Sequence, residues 1–194
     1  NDLSQHTLDN IFRVFNSSSV DSPMSWIPSS GIKTAADTFI GYLLLDAWIG
    51  NSDRHHENWA FVALEGKSYL APTYDHASCL GRNESDERRA KRLQTKDLGF
   101  SVAAYAKKCK SCLYAKVGDQ KPLTTFDAFC EAAKLYPQAA NIWLDSLEKI
   151  SPKNTFELFQ RIPDNCISST AIQFAQQILE INQNKLLEFS QDKR

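Results

Sequence analysis

The sequence has no long apolar run, no excess of either charge and no glycine-rich stretch, and each absence removes a class of protein. The longest apolar segment, Phe39 to Leu45, ends at Asp46, far short of a bilayer span. No basic stretch leads into an apolar one near the start, so neither a secretory signal nor a membrane segment is expected. Twenty-two Lys and Arg against 23 Asp and Glu leave a net charge of −1, which argues against direct nucleic-acid binding. Seven Gly and seven Pro are too few for a disordered or fibrous chain. Five Cys, an odd number without a secretory leader, predict reduced thiols and a cytoplasmic setting. A first residue of Asn rather than Met predicts a fragment or a cleaved product.

What remains is an ordinary globular composition, 42% hydrophobic and 23% charged over 194 residues, enough for one core without disulfides or metal. Leu8, Ile11, Phe12 and Phe15 recur at helical spacing, and the Ser- and Pro-rich run 16–31 reads as a loop. Thr34 as N-cap and Asp37 in the first turn predict a second helix. Its apolar positions are Phe39, Ile40, Leu43, Leu44, Ala47 and Trp48, and it should stop near Gly50. Residues 50–58 then form an irregular polar loop, and 59–72 form a hairpin turning at Glu65–Lys67 and closed by Pro72. From a Ser85 cap onward, residues 85–190 read as a series of helices. The expected class is α+β, predominantly α-helical, with one small β-hairpin.

Asp53, Asn58 and Asp75 stand out. The first two lie five residues apart in the loop, and the hairpin can return Asp75 to it. Two carboxylates and an amide oxygen suit hard Mg²⁺ bound together with substrate phosphates. One carboxylate would remain to orient a hydroxyl or take its proton. Simple turn chemistry and capping is the alternative reading of such a loop, disfavoured in this context. A metallohydrolase built from Asp53, His55, His56, Asp75 and His76 is disfavoured. Adjacent histidines rarely reach one ion, and no H-x-x-x-H occurs. Cys109 and Cys112 form a lone C-x-x-C without further zinc ligands or a βαβ setting, and read as incidental thiols. Arg88, Arg89, Lys91 and Arg92, echoed by Lys107, Lys108 and Lys110, read as a solvated face. Their functional alternative is a patch for an acidic substrate, a phosphorylated loop or a nucleic-acid-bound partner. Trp48, Trp143 and the Phe-rich helices read as core.

The order helix, D-x-x-x-x-N loop, hairpin and Asp resembles the catalytic half of the protein-kinase-like fold. LLLDAWIGNSDRHHENWAFV followed by YLAPTYDHASCLG resembles the C-terminal lobe of HipA-like serine/threonine kinases, the kinase toxins of bacterial toxin–antitoxin modules and their relatives. The likeness is densest over 34–82. It implies that residues 1–194 form one such lobe, with ATP and Mg²⁺ as cofactors and a protein Ser/Thr as acceptor. Asp53 would be the catalytic base, His55 would lie near the transferring phosphoryl group, and Asn58 and Asp75 would hold the metal and nucleotide. Asn51 and Arg54 would organise the loop. Asp-Arg-His at 53–55 also resembles lipid kinases of the phosphoinositide class, an alternative acceptor chemistry. A partner-binding lobe without catalysis is the other alternative. No G-x-G-x-x-G and no V-A-I-K-like strand is present, so an N-terminal lobe that cradles the nucleotide is expected in cis or in trans. A DNA-binding antitoxin is a further partner that the resemblance implies.

Overall fold

The computed structural model describes residues 3–191. Helix α1 (Leu8–Ser17) leads to a two-residue strand β1 (Val20–Asp21) and then to α2 (Ala35–Ile49). The hairpin is β2 (Phe61–Leu64) and β3 (Lys67–Leu70). Helices α3 (Asp86–Gln94), α4 (Val102–Lys107), α5 (Thr125–Leu135), α6 (Pro137–Glu148), α7 (Pro152–Phe159) and α8 (Ser169–Gln191) follow. No helix among the described residues is long and apolar enough to cross a membrane.

Helix α2 organises the molecule. Thr34 Oγ1 accepts from the Asp37 amide, and Asp37 Oδ2 accepts from the Thr34 amide, closing the expected capping box. Gly50 takes the left-handed conformation that ends the helix, and its amide donates to the Asp46 carbonyl. The apolar positions named from sequence are buried except Trp48, but so are Ala35, Ala36, Tyr42 and even Asp46. Helices α5, α6 and α8 pack around α2, so it is covered on more sides than an amphipathic surface helix. Phe12, Phe15, Phe39, Trp59 and Phe61 form an aromatic cluster that fastens α1 and the hairpin to it.

The sheet departs from the expected lone hairpin. β1, inside the segment read as a loop, pairs in parallel with β3, with Val20 opposite Ser68 and Asp21 opposite Tyr69. The order is β1-β3-β2. Two residues are too short to carry an alternating pattern, so this strand is visible only through its partner. The hairpin turn is also tighter than expected. Glu65 and Gly66 both have positive φ, as a two-residue type I′ connection requires, and Lys67 already belongs to β3. Helix α4 was not legible either, since six residues give fewer than two turns of pattern.

His6 ties the start of the described chain to the underside of the polar loop. Its Nδ1–H donates to the Cys112 carbonyl at 3.0 Å, and its Nε2 accepts the Trp59 indole N–H at 3.1 Å. The bond from Trp59 requires the neutral ring, because a protonated Nε2 cannot accept it. Burial pushes the His6 pKa below 6.5, the Cys112 bond opposes this, and His56 and His55 push it lower. A depressed folded-state value means that the unfolded chain binds the proton more readily. The stabilisation is therefore complete above pH 6.5 and is lost as pH falls through the folded-state value. Thermal unfolding from pH 8 to pH 5 should show a falling midpoint below about pH 6.5, and His6→Gln should lower the midpoint at pH 8 while flattening that acid slope.

Candidate active site

The site begins with a buried ion pair that the sequence reading did not single out. Asp46, on the last turn of α2, and Arg54, in the following loop, expose 3% and 1% of their side chains. Arg54 Nε and Nη2 reach the two Asp46 oxygens, each at 2.8 Å, in a bidentate fork. The guanidinium makes further bonds. Nη1 donates to the Asn58 carbonyl at 2.6 Å, and Nη2 to Thr73 Oγ1 at 2.8 Å and towards His76 Nε2 at 3.3 Å. One side chain thus grips the end of α2, the far end of the polar loop and the segment beyond the hairpin.

Asn51, fully buried, completes the clamp. Its Nδ2 donates to Asp46 Oδ1 at 2.8 Å, and its Oδ1 accepts from the Asp53 amide at 3.3 Å. Asn51 and Arg54 are therefore loop organisers in the structural sense expected of them. Asp53 is left with its carboxylate about 39% exposed. Ser78 Oγ donates to its Oδ2 at 3.4 Å, and the Ser78 carbonyl accepts from both the amide and the hydroxyl of Ser52. Ser78 is a contact of Asp53 that sequence reasoning missed, because nothing local to a serine 25 positions away announces it.

Asn58 folds back on the same loop. Its Nδ2 donates to the Asp53 carbonyl at 2.7 Å, which leaves its Oδ1 without a hydrogen bond among the described residues. His55 accepts the Glu57 amide at Nδ1 (3.2 Å), so its proton resides on Nε2, which lies 3.8 Å from Asp53 Oδ1. Asp75 is exposed, has a positive φ of 52° and makes no hydrogen bond among the described residues. Its neighbours are fixed on both sides. Thr73 and His76 are bonded to Arg54 and to each other, and the Tyr74 hydroxyl donates to the Glu57 carbonyl at 2.7 Å. Because a guanidinium only donates, His76 Nε2 is an acceptor and the ring is neutral. Burial, and then the Arg54 charge, lower its pKa.

The chemistry available is that of two free oxygen donors, Asn58 Oδ1 and the Asp75 carboxylate, on segments that share the Arg54 anchor, with an exposed carboxylate and an N–H-bearing imidazole on the same loop as Asn58. Such a donor set fits a hard divalent cation that keeps water or phosphate in its other positions. No group of three His, Cys, Asp or Glu among the described residues is placed to hold a metal, so the metallohydrolase arrangement does not form.

The other sequence candidates are accounted for. Cys109 and Cys112 are free thiols packed beneath the polar loop, with Cys109 Sγ against Gly50 and Cys112 Sγ donating to the Ser52 carbonyl at 3.3 Å. Burial pushes Cys109 up to about 11 and raises Cys112, with the Asp53 and Asp46 charges adding to the second shift. Both are therefore protonated at neutral pH and poor nucleophiles. The basic face of α3 is largely neutralised internally. Arg88 and Arg92 both bind Glu84, and Arg89 binds Asp86.

The fold is kinase-like. Among solved structures, the crystal structure of the Helicobacter pylori proinflammatory kinase CtkA is similar, with a TM-score of 0.59 and 18% identity. The likeness covers 98% of this chain and 61% of that one, so the chain spans about three fifths of that kinase's length. At this identity the match shows the fold. No family model and no curated protein sequence matches the chain.

Asp46→Ala leaves the Arg54 guanidinium buried without its counter-charge, an imbalance that typically costs about 3–5 kcal/mol. The urea unfolding midpoint should fall accordingly, and a change under about 1 kcal/mol would show that the pair is not structural.

Proposed function

We propose that this chain is the catalytic lobe of an ATP- and Mg²⁺-dependent phosphotransferase, a HipA-like serine/threonine protein kinase. The observation that carries the reading is the shared anchor. One buried arginine holds both the loop bearing Asp53 and Asn58 and the segment bearing Asp75. In this reading Asn58 Oδ1 and the Asp75 carboxylate would hold Mg²⁺ on the nucleotide, where it would supply neutralising charge for the phosphates. Asp53 orients the acceptor hydroxyl and takes its proton as the oxygen bonds to the γ-phosphorus and the bond to the ADP oxygen breaks. The His55 Nε2–H stands beside Asp53 and can donate to the transferring phosphoryl oxygens.

The similar structure is that of a kinase, which supports the class of reaction. Choosing protein Ser/Thr over a lipid acceptor rests on the sequence likeness over 34–82. An antitoxin partner rests on the same likeness, and a cytoplasmic setting on five cysteines without a secretory leader.

Asp53→Asn keeps the shape but removes the proton acceptor, so transfer from labelled ATP should fall by roughly 10²-fold or more while the unfolding midpoint stays within about 1 kcal/mol of the parent. Near-normal turnover would remove Asp53 from the role. Asp75→Ala and Asn58→Ala should each shift the Mg²⁺ dependence of transfer to higher concentration, the carboxylate more than the amide. An unchanged Mg²⁺ dependence in both would exclude them as ligands.

A further inference from the structure

Beyond the segment that carries Asp75, a cavity of about 600 Å³ opens among residues 77–82, the first turn of α3, the end of α7 and the start of α8. Leu80, Phe159, Ile167, Ala171 and Ala175 give it an apolar lining, and its charged residues are Arg82, Asp86 and Arg89. Asp86 is spent within the wall. Its carboxylate accepts from Arg89 Nη1 at 2.6 Å and from Ser168. Arg89 Nη2 donates to the Gly81 and Arg82 carbonyls at 3.1 and 3.0 Å, yet its Nε–H is buried with no acceptor among the described residues. Arg82 is exposed. The one hydrogen bond of its guanidinium among the described residues, to Asn83 Oδ1, is 3.5 Å long. The cavity therefore carries one net positive charge, and Arg82 is uncommitted.

The wall is held from several sides. Gly81 packs so closely on Phe174 of α8 that a Cβ there would overlap the ring, and the Leu80 amide donates to the Ile49 carbonyl at 3.0 Å. A preformed cavity of this volume has the size of a small-molecule site and exceeds what a bare inorganic anion fills. An uncommitted arginine at such a cavity selects an oxyanion, and the apolar lining requires that the rest of the ligand be apolar. We propose that this cavity binds a small amphipathic anion, an apolar ring or short chain bearing one carboxylate or phosphate group. Arg82 would meet the anionic group, and Arg89 would add its charge from the wall. Ala77, Cys79 and Leu80 line the cavity on both sides of Ser78, whose hydroxyl and carbonyl are bonded to Asp53 and Ser52. A bound anion would thus touch the segment that steadies the polar loop. The binding itself does not depend on the phosphotransferase reading.

Calorimetric titration of the chain with phenyl phosphate and with phenylacetate tests this, with inorganic phosphate and benzyl alcohol as probes of each half alone. At least one of the first two should bind with a Kd of about 1 mM or tighter, and about tenfold or more tighter than either half. The tighter of the two identifies the anionic group. Cys166 is an exposed thiol on the lining and reports the location. Saturation should slow its labelling by iodoacetamide about threefold or more and slow amide exchange over 77–82 to a similar extent. Arg82→Glu should weaken binding about tenfold or more, and Arg82→Lys should retain most of it. Neither should move the unfolding midpoint, because the Arg82 side chain braces no other element. The proposal is overturned if neither compound binds, or if inorganic phosphate or benzyl alcohol binds as tightly. Binding that leaves Cys166 and residues 77–82 unprotected, or that survives Arg82→Glu undiminished, overturns it equally.

Discussion

A single guanidinium with all three nitrogens hydrogen-bonded holds the polar centre together. Burying the Arg54 charge is tolerable only because Asp46 meets it in a bidentate fork, and Asn51 adds a donor to the same carboxylate. The pair costs desolvation, so its value lies in where it places other groups. Through Arg54 the end of α2, the Asn58 backbone and the Thr73–His76 segment share one reference point. The loop therefore needs no regular secondary structure to be rigid. Gly50 supplies the reversal that brings Arg54 back beneath the helix, and Asn182 of α8 fastens the Trp48 carbonyl just before it.

The same arrangement separates the groups that organise the loop from the groups that face outward. Asp46, Asn51 and Arg54 spend their polar atoms on one another and on the segments they tie together, and are buried. Asp53, His55 and Asp75 are turned to solvent, while Asn58 keeps one oxygen uncommitted. Polar groups left unused beside a rigid frame are what a ligand site requires, because their desolvation is completed by the ligand and not by the fold. Two neutral histidines, His6 and His76, brace the frame from below and behind.

Much of this could be read from the residues alone. Thr34, Asp37 and Gly50 marked the limits of α2 through local chemistry, and the polar loop and hairpin followed from pattern. Asn51 and Arg54 were marked as organisers by resemblance. The centre itself was not legible. Asp46 read only as the end of an apolar run, since its partner lies eight residues on, across a chain reversal. The bonds of Ser78 to Ser52 and Asp53, of His6 to Trp59, and the pairing of β1 with β3 all join distant segments, and no local period encodes them. Trp48 and Trp143 read as core and are half-buried on the wall of an apolar opening between α2 and α6. Hydrophobicity says that such rings seek cover, not whether the cover comes from this lobe.

The central claim is that the Asp46–Arg54 pair aligns the loop and the Asp75 segment more than it stabilises the fold. Amide hydrogen exchange on the paired replacement Asp46→Leu with Arg54→Met tests it most directly, because removing both charges avoids leaving one of them buried. The account predicts that global stability falls by no more than about 2 kcal/mol, while protection over residues 51–58 and 73–76 is lost together. Retained protection in either segment, with the other lost, would contradict a common anchor.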